Sequence, residues 1–283
     1  MTPKHAGPAA LAALLAVAAA AATPTAPTAP DLTRLRQMAA RFAPVPIAAD
    51  VSKLPAGERE ALARVIDAAR VMDALFLRQV WAGNEPLLLE LLEDETDLGR
   101  ARVHYFLLNK GPWSRLDEDA PFVPGVGPKP PQANFYPAAA TKEEVEKWLA
   151  TLPEAEAASA RGFFTTIRRG AQGFSAVPYS LEYQGELARA ADLLREAARL
   201  TTQPTLKRYL STRADAFLSN DYYESDVAWM ELDASIEPTI GPYEVYEDKW
   251  FGFKAAFEAF VTLRDDAETA KLARFSGVLQ ELE

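Results

Sequence analysis

Cysteine is absent from the chain, which excludes a disulfide framework, a thiol nucleophile and a cysteine-bound metal. Histidine is almost absent too. His5 and His104 are the whole supply, whereas a catalytic zinc site ordinarily draws two or three histidines, often one helix turn apart. His104 has Tyr105 and Phe106 beside it and no partner histidine, so it reads as a structural or surface residue. A Ser-His-Asp arrangement would also have to use His104, and no G-x-S-x-G elbow accompanies it. Positive charge is in deficit: 30 Lys and Arg stand against 40 Asp and Glu, a formal net charge of −10. A surface that displaces phosphate counterions needs the opposite balance, which excludes nucleic acid as a partner. No sustained heptads, internal repeat or phosphate-binding glycine loop occurs; Gly125 and Gly127 lie in a proline-rich stretch, not after a strand.

What is present is ordinary globular material, 49% hydrophobic and 25% charged over 283 residues, enough to bury a substantial core. The first 30 residues stand apart. Lys4 and His5 precede an apolar run at 9–22, and TPTAPTAP follows at 23–30. A basic start, a short apolar core and small residues at the end are the pattern of a secretory signal peptide, so export to the periplasm or outside the cell is expected. The run is too short to span a bilayer comfortably, and no later segment is a transmembrane candidate.

Most of the remaining chain reads as helix. Between 58 and 81, Leu62, Val65, Ile66, Ala69, Met72, Leu75, Phe76 and Val80 recur at three- and four-residue steps. Gly83 and Asn84 stop that helix, and Pro86 suits the first turn of a second, predicted to run towards Leu108. Residues 109–137 break the pattern with Pro112, Pro121, Pro124, Pro128, Pro130, Pro131 and Pro137. Trp113, Phe122, Phe135 and Tyr136 in the same stretch predict a loop packed onto the body, since a disordered linker is usually poor in aromatics. Thr141 and Glu144 form a capping-box pair. Further helical patterns cover 154–169, 182–200, 204–219 and 265–283, while 236–246 holds Pro, Gly and β-branched residues and 257–263 alternates as a strand. The expected division is a leader at 1–30, a mainly helical region at 31–219 and a region with strand elements and a C-terminal helix at 220–283.

The most unusual composition lies at 220–250. Asp221, Glu224, Asp226, Glu231, Asp233, Glu237, Glu244, Glu247 and Asp248 face a single base, Lys249, with Tyr222, Tyr223, Trp229, Tyr243, Tyr246 and Trp250 interleaved. Carboxylates beside aromatic rings are the groups a protein uses to hold a cation such as a peptide α-amine. A solvated acidic face with its aromatics turned into the core has the same composition, and the residues alone leave both open. A calcium loop fits less well, because the acids lack the dense alternation and central glycine of an EF-hand.

The run TIGPYEVYEDKWFGFKAAFEAFVTLRDD at 239–266 resembles the signature of the dipeptidyl peptidase III family, peptidase family M49. It is most similar to the branch of bacterial proteins and plant Nudix-fusion proteins carrying an M49-like region. VWAGNEPLLLELL at 80–92, NKGPWSRLD at 109–117, ANFYP at 133–137, TKEEVEKW at 141–148, VPYSLEY at 177–183 and NDYYESDVAWMEL at 220–232 agree with that branch in order. The resemblance implies an α+β, predominantly α-helical chain: one lobe and part of the β-containing core of a two-lobed exopeptidase that releases dipeptides from peptide N-termini. It implies zinc in full-length relatives, held by a His-Glu helix and a later glutamate. No such helix occurs in this sequence, so zinc and the C-terminal zinc-binding half are expected from outside it. The family's Glu-x-Tyr falls on Glu244 and Tyr246. By that likeness Glu244 receives the α-ammonium of a peptide with a free N-terminus, and Tyr246 donates its hydroxyl to the carbonyl oxygen. Tyr243 and Glu247 flank them as further substrate-binding candidates. The alternative is an exported helical protein that binds peptides or scaffolds a partner without catalysis.

Overall fold

The computed structural model describes residues 29–273, together with Phe275 and Val278. The expected signal peptide lies outside the described residues except at its last two positions, as does most of the expected helix beyond 273. No helix among the described residues is long and apolar enough to cross a membrane.

Asp31 opens the first helix, α1 (Leu32–Ala39), by accepting from the Arg34 backbone N–H at 2.8 Å. Then comes α2 (Ala56–Val80), the predicted long amphipathic helix. Its buried stripe runs through Ala61, Leu62, Val65, Ala68, Met72 and Leu75. Ile66, expected on that face, is 38% exposed. The predicted second helix is two helices, α3 (Asn84–Glu93) and α4 (Asp97–Asn109). Asp94 accepts from the Thr96 backbone N–H at 3.1 Å, and Thr96 then caps α4 by accepting from Gly99 N at 3.1 Å. Local side-chain bonds of this kind compete with the helix ladder and end α3 inside a leucine-rich run.

The proline-rich stretch holds a short ladder, β1 (Trp113–Ser114) on β2 (Ala120–Pro121). It is packed as predicted, with Phe122, Phe135 and Tyr136 at 1% exposure or less. The Thr141–Glu144 capping box is formed in both directions, at 3.2 and 3.0 Å, and opens α5 (Lys142–Thr151).

The helix expected over 154–169 is a correction. Only α6 (Glu154–Arg161) is helical, and Gly162 follows it. The chain then extends into β3 (Thr165–Gly170), which pairs with β4 (Gly173–Pro178) as an antiparallel hairpin. The β-branched run Thr165-Thr166-Ile167 suits the half-buried pleated surface better than another helical turn. Next come α7 (Tyr179–Glu182), α8 (Gln184–Leu200), α9 (Pro204–Ser219) with Pro204 in its first turn, and α10 (Tyr223–Met230). The hairpin of β5 (Ile236–Glu244) and β6 (Ala256–Leu263) follows, and then α11 (Asp266–Ala273). About half of the chain is helical, and the strands among the described residues form three separate two-stranded antiparallel sheets. The α+β, predominantly helical reading holds.

The main core gathers α2, α8, α9 and the β5–β6 hairpin around residues such as Val65, Met72, Leu187, Leu194, Leu210, Phe217, Ile240 and Phe257. A second, smaller cluster joins Leu35, Met38, Leu91, Tyr105, Phe106, Phe122 and Val123. Two buried polar residues fasten the ends of α2. Glu58 accepts from Thr201 Oγ1 at 2.7 Å and from Thr202 N at 2.8 Å, at the α8–α9 corner. At the far end, Gln79 accepts from Phe257 N at 2.7 Å and so holds the start of β6.

Candidate functional site

The signature occupies the last residues of β5 and the turn to β6. Along β5 the even positions Ile236, Pro238, Ile240 and Pro242 are buried, as a half-buried strand requires. Strict alternation would carry Glu244 inward with them. The register shows why it is not: Pro242 faces Phe257 and Glu244 faces Ala256, leaving Tyr243 as an extra, bulged residue. A bulge reverses the alternation beyond it, and Glu244 is exposed. Tyr246, in the following turn, is 79% exposed. The structure therefore brings Glu244 and Tyr246 out together at one end of the hairpin.

The other two candidates are held differently. Tyr243 is partly buried with its ring over the Arg213 guanidinium at 5.5 Å, and burial pushes its phenol well up. Glu247 is 7% exposed and ion-paired to Arg115 at 2.7 Å and to Lys129 at 3.0 Å. Burial alone would raise its carboxyl, but Lys129 and Arg115 outweigh that and hold it below the ordinary value.

Of the acids in the run other than Glu244, Asp221, Glu224 and Glu237 have no ion-pair partner among the described residues, and the rest are matched. Asp226 pairs with Arg213, Glu231 with Arg208 and Asp233 with Arg264. Asp248 serves the backbone: it accepts from the amides of Trp250, Phe251, Phe253 and Lys254 and from the Tyr136 hydroxyl at 2.8 Å. Glu244 has no cationic partner among the described residues. Its charged neighbour is Glu258, whose carboxyl is raised first by burial and then by the Glu244 charge. An incoming cation would relieve that crowding of negative charge.

The turn is held by contacts from several elements. The proline-rich loop braces it: Lys249 N donates to Pro131 O at 2.9 Å, and the Lys249 ammonium reaches Asp119 at 2.5 Å. Tyr136 packs against Trp250 and Phe251. Fully buried Lys254 donates from Nζ to Ala160 O at 2.6 Å, Gly162 O at 3.0 Å and Thr165 Oγ1 at 2.7 Å. Three acceptors around one amine favour its ammonium form, while burial pushes it down to about 7 and Asp248 pulls the other way.

Residue-level reading of the sequence missed Arg213 and Lys254, and it counted Asp248 among the acids of the run without its role as a backbone clasp. The two missed residues leave a trace. Arg213 continues the apolar stripe of α9 through Leu206, Tyr209, Leu210 and Phe217, where a charge is out of place. Lys254 interrupts the apolar run FGFKAAF. A lone cation at a core position signals a buried, partnered group.

A zinc site fares otherwise. Among the described residues no group of three or more His, Cys, Asp or Glu converges to hold a metal ion. His104 is exposed on α4, beside a shallow apolar groove lined by Leu91, Leu92, Val103 and Leu107. The described residues do not fit a catalytic zinc.

The model of Peptidase family M49 matches residues 170–281, a span that includes Glu244 and Tyr246. Among solved structures, dipeptidyl-peptidase III from Corallococcus sp. strain EGB is 68% identical with a TM-score of 0.87, covering 90% of this chain and 48% of that one. DPP III from Caldithrix abyssi is 49% identical with a TM-score of 0.84, covering 88% of this chain and 47% of that one. Nudix hydrolase 3 of Arabidopsis thaliana is 37% identical over 300 residues, 88% of this chain and 39% of that protein, which fits a branch that includes Nudix fusions. The chain thus spans less than half the length of each of these relatives. On this sequence and structural likeness, the chain belongs to the dipeptidyl peptidase III family, peptidase family M49.

Proposed function

We propose that this chain is the substrate-gripping part of a dipeptidyl peptidase III-like exopeptidase, and that Glu244 and Tyr246 are its grip. Glu244 receives the α-ammonium of a peptide with a free N-terminus, which fixes where the chain end lies and so which bond is presented for cleavage. Tyr246 turns its phenol towards the carbonyl oxygen as negative charge develops there. Zinc chemistry belongs to residues beyond those described, and the contribution of this chain is binding and orientation.

The observation that carries this reading is the contrast within one acidic run. Glu247 and Asp248 are buried and fully engaged, whereas Glu244 and Tyr246 stand exposed two positions apart on a braced turn. Matched acids explain themselves as structure. An exposed carboxylate beside a second carboxylate of raised pKa is left for a ligand of positive charge.

Calorimetry with a tetrapeptide and its N-acetylated form tests the amine contact. The free peptide should bind at least about tenfold tighter, the worth of one hydrogen bond to a charged group. Glu244→Gln should erase that preference; equal affinities for the two peptides in the unaltered chain would overturn it. In any preparation that releases dipeptides, Tyr246→Phe should lower kcat with KM nearly constant. An unchanged kcat removes Tyr246 from the chemistry.

A further inference from the structure

Arg213 is fully buried on α9, yet only one of its nitrogens has a hydrogen-bond acceptor: Nη2 donates to Asp226 at 2.6 Å. Nε and Nη1 are buried without one. An unmatched guanidinium in a core is costly, so something else must hold it. Three aromatic faces do. The guanidinium carbon lies 5.5 Å from the ring centre of Tyr209, 5.3 Å from Tyr222 and 5.5 Å from Tyr243, and the attraction of a cation to a ring face is strongest where water is excluded.

Two of those rings come from the helical side, Tyr209 within α9 and Tyr222 just ahead of α10. The third comes from the bulge of β5. The strand is drawn in closely at this point: a Cβ on Gly241, at φ +152°, would fall 2.8 Å from Arg213 Nη1. Ile240 N also donates to the Tyr209 hydroxyl at 3.3 Å. The bulged residue is thus the one whose ring closes the box around the cation. That same bulge turns Glu244 from the buried face of Ile236, Ile240 and Pro242 to the exposed one.

We propose that Arg213 is a positioning residue for the substrate amine: by capturing the Tyr243 ring it locks the bulge that holds Glu244 outward. The inference rests on the reading of Glu244 as the carboxylate that receives that amine. Arg213 touches no substrate and acts through Tyr243. If the ring is released, β5 can return to unbroken alternation, and a one-residue slip sends Glu244 to the wrong face.

The test reads the ratio of affinities for a free tetrapeptide and its N-acetylated form, measured by calorimetry on the chain, with folding followed by circular dichroism. A loss of fold or of general binding lowers both affinities together and leaves that ratio alone. Arg213→Met and Tyr243→Leu should each bring the ratio close to one. Tyr243→Phe keeps the aromatic face, loses only a hydroxyl whose contact to Ile240 O is 3.5 Å, and should retain the ratio. Should Arg213→Met fail to fold, the Tyr243→Leu and Tyr243→Phe pair decides the matter. Folded Arg213→Met or Tyr243→Leu protein that keeps the full ratio, while Glu244→Gln abolishes it, overturns this inference and spares the reading of Glu244. If Glu244→Gln itself leaves the ratio unchanged, both fall.

Discussion

Glu247 illustrates how a carboxylate in a family signature can belong to the scaffold. Replacing it by glutamine leaves Lys129, whose side chain is 7% exposed, with Asp119 at 3.6 Å as its remaining acidic partner among the described residues, and strips Arg115 of its 2.7 Å partner. Breaking such a buried pair costs about 3–5 kcal/mol when nothing compensates; Asp119 and the part-exposed Arg115 should bring the loss to roughly 2–3 kcal/mol in urea unfolding. A loss under half a kilocalorie would mean that the pair is not formed. The sign with pH comes from the depressed carboxyl. Its contribution is present above the ordinary glutamate value of 4.5 and is lost as pH falls through the lower folded value. The stability gap between the unaltered chain and Glu247→Gln should therefore narrow on acidification below about pH 4.5. Gly241 makes the complementary point about backbone. With its φ of +152° and Arg213 Nη1 at 2.8 Å from the missing Cβ, Gly241→Ala should cost about 1–3 kcal/mol in the same experiment. A neutral result would show that the guanidinium can move away freely.

Among the elements, those with signals in their own sequence were legible. The capping box announced α5, and Thr141→Ala should lower stability by about 1 kcal/mol in thermal unfolding; no change would mean that the cap is redundant. Periodicity announced α2, Pro204 announced α9, and the alternation at 257–263 matched β6 to within a residue. The failures have separate causes. The α3–α4 break depends on Asp94 and Thr96 turning back on the backbone inside a run of good helix formers. The β3–β4 hairpin was hidden by Arg168 and Arg169, which read as helix surface until Arg168 is seen paired to Glu182 and Arg169 to Glu144. The bulge at Tyr243 had no local sign at all, since a buried arginine on another element draws it in. The signature could therefore be found from the residues, while the reason Glu244 faces outward could not.

At the scale of the molecule, the two hydrophobic clusters differ in size and in what ties them down. Among the described residues the smaller one rests on seven buried side chains from α1, α3, α4 and the proline-rich loop, of which α1 contributes Leu35 and Met38. Regions with few buried contacts open at lower free energy than the global transition. Native-state hydrogen exchange should show the amides of α1 and α4 exchanging faster than those of α8 and α9. Equal protection throughout would mean a single cooperative unit. The main core has the opposite character, because α2 is fastened at both ends, by Glu58 to the α8–α9 corner and by Gln79 to β6. A helix rises about 1.5 Å and turns about 100° per residue, so those two fastenings turn α2 into a gauge. One alanine inserted near its middle would leave every apolar residue in place by type, yet swing Gln79 about 100° away from Phe257. The spacing between the helical corner and the signature hairpin is thus written in the length of α2. Homologues should then tolerate changes of residue along α2 far more readily than changes in its length.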